Sequence, residues 1–480
     1  MRGSARFLLC AMLAAAAGAL VIGQERRPRE SPIGTLIADA RAVQPEFSAD
    51  TLIRLAGLAQ TSARTKIELL DDAFQRAHRA SDAYRLSARP ELPDDSRQGA
   101  QRQAYATGLN RVSLQSRAAQ QLAFVDPPRG RELFEWIDLN VSAASCDTPL
   151  VPAVDDYYTA LGYVARTTFG SDRGAALWFL EFHLWRAHLP SEMPAVARAM
   201  QRFQPKAEEA AYLENVLRVI LQGSHPDARG FSTASLDIVQ RLADLQKAHK
   251  EMGVGGWDVM VSLRDYLTTQ LKGPRCADSI TEPMTAPAFN AALTVFDADY
   301  AVKPIDGASL RPSRMLGPAR IDYYWQSPEA RRLREEWIQL RGRDRTPVAL
   351  SIRVTSDWRD QAEHLLTGIE QWTGIREPAP RDYLYQKSVL LTSLLELMPQ
   401  SPVRVKALRA LIEFLRHEDN DRNLRSLWFA MLSRLLEMAR GANRDQILTA
   451  LEESQHPVMS LYARLERQQA RRESSNRGIE

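Results

Sequence analysis

Along almost the whole chain, apolar residues return at every third or fourth position, in helix-length stretches separated by short polar breaks. That period places them on one flank of an α-helix and leaves the other flank charged. Leu52, Leu55, Ala56 and Ala59 form one such flank, behind Ser48 as the expected cap. Ile67, Leu70, Ala73, Phe74 and Ala77 form the next, with only Gln60-Thr61-Ser62 between them. A helix that is apolar on one flank buries it only against another element, and a short break returns the chain antiparallel. The chain has 480 residues, too many for one conventional core of ~100–200 residues. The pattern therefore predicts an all-α fold: stacked antiparallel helix hairpins forming a curved α/α superhelix, a degenerate helical-repeat solenoid.

The unit recurs with variation. Leu55-x-x-Leu58-Ala59 followed by Leu69-Leu70-x-x-Ala73-Phe74 returns as Ala119-x-x-Leu122-Ala123 followed by Glu132-Leu133-Phe134-x-x-Ile137, with Asp126-Pro127-Pro128 as turn and cap. Over 33–137 this resembles the tetratricopeptide and related superhelical repeats, although the spacing departs from a period of about 34 residues. The resemblance implies an architecture and no function. Helical periodicity runs through 33–272, thins in a Pro- and Gly-containing stretch at 273–327, and resumes through 328–467. These limits divide the chain into an N-terminal helical-repeat domain, a connecting region and a C-terminal helical domain, followed by a charged tail at 468–480.

The first 23 residues have a different character. Arg2 and Arg6 precede an apolar run from Phe7 to Ile22, with small residues at Ala17 and Ala19 for cleavage after Ala19, and a second cut available before Gln24. This is the pattern of a secretory signal peptide. The run falls just short of the ~20 residues that cross a bilayer, so a cleaved leader is favoured over a retained anchor. The product is expected in the periplasm or outside the cell, with no stable transmembrane span, behind a polar linker at 24–32. Export gives the cysteines meaning. Loss of Cys10 leaves Cys146 and Cys276, both in turn-like surroundings, and an even pair in an exported chain reads as one disulfide. Two separate buried thiols, or a reactive thiol, are the alternatives.

Charge gives little direction: 62 Lys+Arg against 59 Asp+Glu leave a formal +3, which supplies no field to gather nucleic acid. The short signatures of zinc peptidases, serine hydrolases, phosphate loops and dinucleotide sites are all missing, and the eight His are scattered. No cofactor or metal is implied.

Two stretches are unusual. Between Asp155 and His188 stand Tyr157, Tyr158, Tyr163, Phe169, Trp178, Phe179, Phe182 and Trp185, where the chain averages 8 % aromatic residues. Glu181, Trp185 and His188 share one helical face at this spacing. Either Trp178, Phe182 and Trp185 wedge between helix pairs as core, or they line a groove in which Asp155, Asp156 and Glu181 are acid and base for a polysaccharide. The second stretch is Asp322-Tyr323-Tyr324-Trp325 with Arg331 and Arg334 following, a set suited to a peptide or glycan. Interleaved Glu329, Glu335 and Glu336 make an ordinary solvated helix face the competing interpretation. The favoured reading is a binding or scaffolding protein of the cell envelope with an unidentified protein or peptide partner. A glycan-processing enzyme with a helical-barrel-like fold is the alternative.

Overall fold

A computed structural model describes residues 32–58, 61–80, 85–86, 96–143, 151–225, 230–254, 257–276, 290, 303–306, 314–316, 322–342, 353, 355–417, 424–440 and 444–477. The expected leader at 1–23 and the linker up to Ser31 lie outside these residues. Among the described residues, no helix is long and apolar enough to cross a membrane.

The first part of the chain forms helices α1 (Pro32–Ala42), α2 (Pro45–Ala56), α3 (Ala63–Ala77), α4 (Arg97–Ala106), α5 (Arg111–Val125) and α6 (Pro127–Glu135). It continues with α7 (Asp155–Thr167), α8 (Arg173–Leu184), α9 (Met193–Phe203), α10 (Ala207–Gly223), α11 (Gly230–Glu251) and α12 (Trp257–Lys272). The last part forms α13 (Pro328–Arg341), α14 (Ser356–Gln371), α15 (Pro380–Leu397), α16 (Pro402–His417), α17 (Arg425–Met438), α18 (Arg444–Glu453) and α19 (Pro457–Arg477). Extended pairing among the described residues is slight. β1 (Arg85–Leu86) pairs antiparallel with β2 (Val151–Pro152), and β3 (Arg275–Cys276) pairs parallel with β4 (Met315–Leu316).

The breaks carry the chemistry that starts a helix. Side chains of Ser62, Asn110, Asp126, Asp172 and Ser327 accept a hydrogen bond from the backbone N–H three residues on, which satisfies one of the donors a helix N-terminus leaves free. Ser48 does not cap. α2 starts at Pro45, where a missing N–H is no loss, and Ser48 is buried within the helix.

The hairpins stack in an order that the chain does not follow. α13, α15, α17, α19, α2, α5, α7, α9 and α11 form one row, each helix packed on the next. α14, α16 and α18 form the second layer of the C-terminal part, and α8, α10 and α12 that of the N-terminal part. The row crosses from α19 to α2, so helices from opposite ends of the chain meet in the middle of the stack. The result is a curved helical-repeat arrangement. One set of mutually packed buried side chains extends from Leu36 to Leu465. Where helices press closest, a side chain is excluded: a Cβ on Gly162 of α7 would lie 2.4 Å from the Ala199 carbonyl oxygen of α9. A Cβ on Gly130 of α6 would lie 2.4 Å from the Ala123 nitrogen of α5.

The disulfide expected between Cys146 and Cys276 is not formed, because no two cysteines lie at bonding distance. Cys276 belongs to β3 and is paired with the 315–316 segment, whereas the segment that follows Cys146 is paired as β2 with Arg85–Leu86. Cys146 itself falls outside the described residues.

Candidate functional site

Helix α8 reads Arg-Gly-Ala-Ala-Leu-Trp-Phe-Leu-Glu-Phe-His-Leu, apolar on more than one flank. Only one flank can face the core. Ala176, Phe179, Leu180, His183 and Leu184 take it. Phe179 lies 5.3 Å from Phe169 and 4.7 Å from His183 between ring centroids, and Phe134 stacks on Tyr157 at 4.9 Å. The Tyr157 hydroxyl and His183 Nδ1 are hydrogen-bonded at 2.9 Å. Burial, aided by the nearby Arg186 cation, pushes the His183 imidazole down to about 4, and burial pushes the Tyr157 phenol up to about 12. Both are therefore neutral near pH 7.

The other flank puts aromatic rings into water. Trp178, Phe182 and Trp185 of this segment and Tyr212 of α10 expose between 41 % (Tyr212) and 65 % (Trp178) of their surface. This overturns the core-wedge reading of Trp178, Phe182 and Trp185. Trp178 and Phe182 stack with centroids 5.7 Å apart and planes 23° from parallel. Glu181 ties the remaining rings together. Trp185 Nε1 donates to its Oε1 at 2.9 Å and the Tyr212 hydroxyl donates to its Oε2 at 2.6 Å, which raises the Tyr212 phenol above its ordinary value. The Arg186 guanidinium lies 5.7 Å from the centre of the Phe182 ring.

The three carboxylates proposed as acid and base have separate hydrogen-bond partners. Asp155 accepts from Arg198 Nη1 at 2.6 Å. Asp156, in the same first turn of α7, has its carboxyl raised by burial, against the opposing pull of Arg117 and a hydrogen bond from Ser113. Glu181 has neither arginine among its hydrogen-bond partners and spends its two oxygens on Trp185 and Tyr212. The expected i, i+4, i+7 face also ends early. α8 stops at Leu184, so Trp185 is reached by Glu181 but His188 lies beyond the helix, its Nδ1 hydrogen-bonded to the Arg186 carbonyl.

The second stretch divides. Tyr323 is exposed and so is Arg331, whereas Tyr324 is buried edge-on against Tyr385, ring centroids 4.9 Å apart. Trp325 is half-buried, 5.4 Å from Tyr324, with the Arg334 guanidinium 5.9 Å from its ring. The loop is held by the first turn of α4: Arg97 N donates to the Asp322 carbonyl at 2.8 Å, and Asp322 N to Gln98 Oε1 at 3.1 Å. Arg97 also grips Asp382 of α15 at 2.7 Å. Tyr323 thus stands on a seat anchored where the two parts of the chain join, and Arg331 follows it in the first turn of α13.

Sequence reasoning missed Tyr212, which stands alone among Ala and Glu and carries no periodic signal, and Lys387. The latter lines an open cleft of about 700 Å³ together with Glu370, Lys406, Arg409, Glu413 and Phe414. Its ammonium donates to the Trp372 carbonyl at 2.7 Å and to the Tyr383 hydroxyl at 3.0 Å. Among the described residues no group of three His, Cys, Asp or Glu is placed to hold a metal ion. No family model, no curated protein and no solved structure matches the chain.

Proposed function

We propose that this protein is an exported scaffold of the cell envelope that binds protein or peptide partners through the seat carrying Tyr323 and Arg331, with Trp325 and Arg334 at its edge. One observation carries the reading: a continuous row of stacked helices holds an exposed Tyr323 on a loop anchored to α4, which is itself tied to α15, and an exposed Arg331 in the first turn of α13 that follows. Stacked helix pairs present long surfaces suited to polypeptides, and Tyr and Arg on a rigid base are the residues on which binding energy concentrates. The leader-like first 23 residues support export to the periplasm or beyond. The polysaccharide-processing alternative needs Glu181 paired with Asp155 or Asp156, and the separate partners of these carboxylates give it no support.

The test uses the leader-free chain with a photo-activated cross-linker at Tyr323, exposed to envelope extract of the native cell. A captured protein is then purified and titrated against the intact chain. Tyr323→Ala with Arg331→Ala is expected to weaken that binding at least tenfold, about 1.4 kcal/mol. Absence of a reproducible partner, or a partner indifferent to both changes, contradicts the proposal.

A further inference from the structure

We infer that the exposed aromatic surface of α8 and α10 is a binding platform for a neutral polysaccharide chain. The inference stands apart from the Tyr323 seat and does not depend on it.

Four exposed rings in water are unfavourable unless something covers them, and here they are held still. Through Glu181, Trp185 of α8's C-terminus and Tyr212 of α10 are locked edge to edge by two hydrogen bonds of 2.9 and 2.6 Å. Trp178 is fixed by stacking on Phe182. Rings already fixed lose little freedom when a ligand arrives. A fixed, exposed aromatic ring, whose π-face is negative at its centre, suits the C–H-bearing face of a sugar ring.

Charge and shape narrow the ligand. Glu181, bonded to Trp185 and Tyr212, and Arg186, over Phe182, place opposite charges on one surface, so this pair offers no net field to select an ion. Each Glu181 oxygen retains acceptor capacity, and Arg186, exposed, adds donors. Hydroxyl groups, which both donate and accept, satisfy such a mixed rim. Trp178 and Trp185 are seven positions apart, two helical turns or about 10.5 Å along the axis, a span comparable with two linked sugar units. The rings of Trp178, Phe182 and Trp185 follow one another along a single exposed flank. A protein partner's anchoring side chains seek well-packed pockets, whereas a row of exposed rings offers successive contacts to an extended sugar chain. Trp136 is exposed at the C-terminal cap of α6 as Trp185 is at that of α8, so the preceding hairpin offers a further ring to a long chain.

Within this account Glu181 is a positioning residue that orients two rings. The test titrates the intact leader-free protein with cellohexaose and with the hexamer of N-acetylglucosamine, following tryptophan emission and heat. Saturable binding of at least one is expected, weakened at least tenfold by Trp178→Ala and unchanged by Ile375→Ser on the C-terminal part. Glu181→Ala is expected to weaken binding several-fold and to increase the mobility of Trp185 in fluorescence anisotropy, with Glu181→Gln restoring part of both. No binding of either hexamer, or binding indifferent to Trp178→Ala, overturns the inference. So does a captured protein partner that is lost on Trp178→Ala while neither sugar binds. Retention of the Tyr323-dependent partner by Trp178→Ala protein supports two separate sites.

Discussion

His183 shows how one residue reports on the packing around it. Its ring is buried among Phe134, Phe179 and Phe182, with Tyr157 as hydrogen-bond partner, and its imidazole is pushed from 6.5 to about 4 by burial and by Arg186. The unfolded chain takes up a proton below about pH 6.5, and the folded chain only near pH 4. Stability therefore falls as pH drops through that window, by on the order of 3 kcal/mol from this group. His183→Gln keeps a hydrogen-bonding side chain and removes the titration. In urea titrations from pH 7 to pH 4, the variant is expected to lose less stability than the wild-type chain, and identical slopes contradict the assignment. The sequence shows a His in an aromatic stretch. It does not show which flank of an all-round apolar helix turns inward, because periodicity cannot separate two apolar flanks, and so Trp178 and Phe182 are misplaced as core.

At the scale of elements, the C-terminal part shows one solution repeated. A helix ends with carbonyls that lack partners, and here a donor from the next helix in the chain supplies them. Trp358 Nε1 of α14 donates to the Leu340 carbonyl of α13 at 3.1 Å. Lys387 of α15 donates to Trp372 and Glu370 carbonyls at the end of α14, at 2.7 and 3.3 Å. Arg404 of α16 donates to the Leu395 carbonyl and, at 2.7 Å, to that of Met398 as α15 ends. Trp428 Nε1 of α17 reaches the Leu415 carbonyl of α16 at 2.7 Å. The positive ends of Lys387 and Arg404 also suit the negative pole of a helix C-terminus. Lys387→Met keeps an unbranched side chain but removes the ammonium, leaving the Trp372 carbonyl to the Tyr383 hydroxyl and the Glu370 carbonyl without this donor, and is expected to lower stability by about 2 kcal/mol. An unchanged urea midpoint would mean that these contacts contribute nothing net. N-terminal caps such as Ser62, Asp126 and Asp172 are legible in sequence because cap and helix are neighbours in the chain. The C-terminal caps are not, since donor and acceptor are brought together only by stacking.

For the whole molecule, the amphipathic period makes the layered, all-helical architecture legible, and it leaves the order of stacking open because every flank is apolar in the same way. The order is set at the junction between the two ends of the chain. Phe47 of α2 packs against Trp428 and Phe429 of α17, ring centroids 5.6 and 5.4 Å away. Around this apolar centre lie ion pairs that no local pattern reveals: Arg425 with Glu46 at 3.2 Å and Arg464 with Asp39 at 2.7 Å. Asp50 is buried and accepts from Arg117 and from the Tyr462 hydroxyl, the latter at 2.8 Å. Burial raises the Asp50 carboxyl, but Arg54 and Arg117 outweigh it and hold the group below its ordinary value. Proteins of this kind derive stability from nearest-neighbour interfaces, so the junction makes one stack of two. The central claim is therefore that the beginning of α19 lies beside the end of α1 in the intact protein, where Ala42 and Pro457 line one cleft. Spin labels on cysteines at these two exposed positions, with the native cysteines replaced, measure it by pulsed electron resonance. A single narrow distribution at short distance is the result predicted, and a broad or long distribution would contradict a stack that closes across the two ends of the chain.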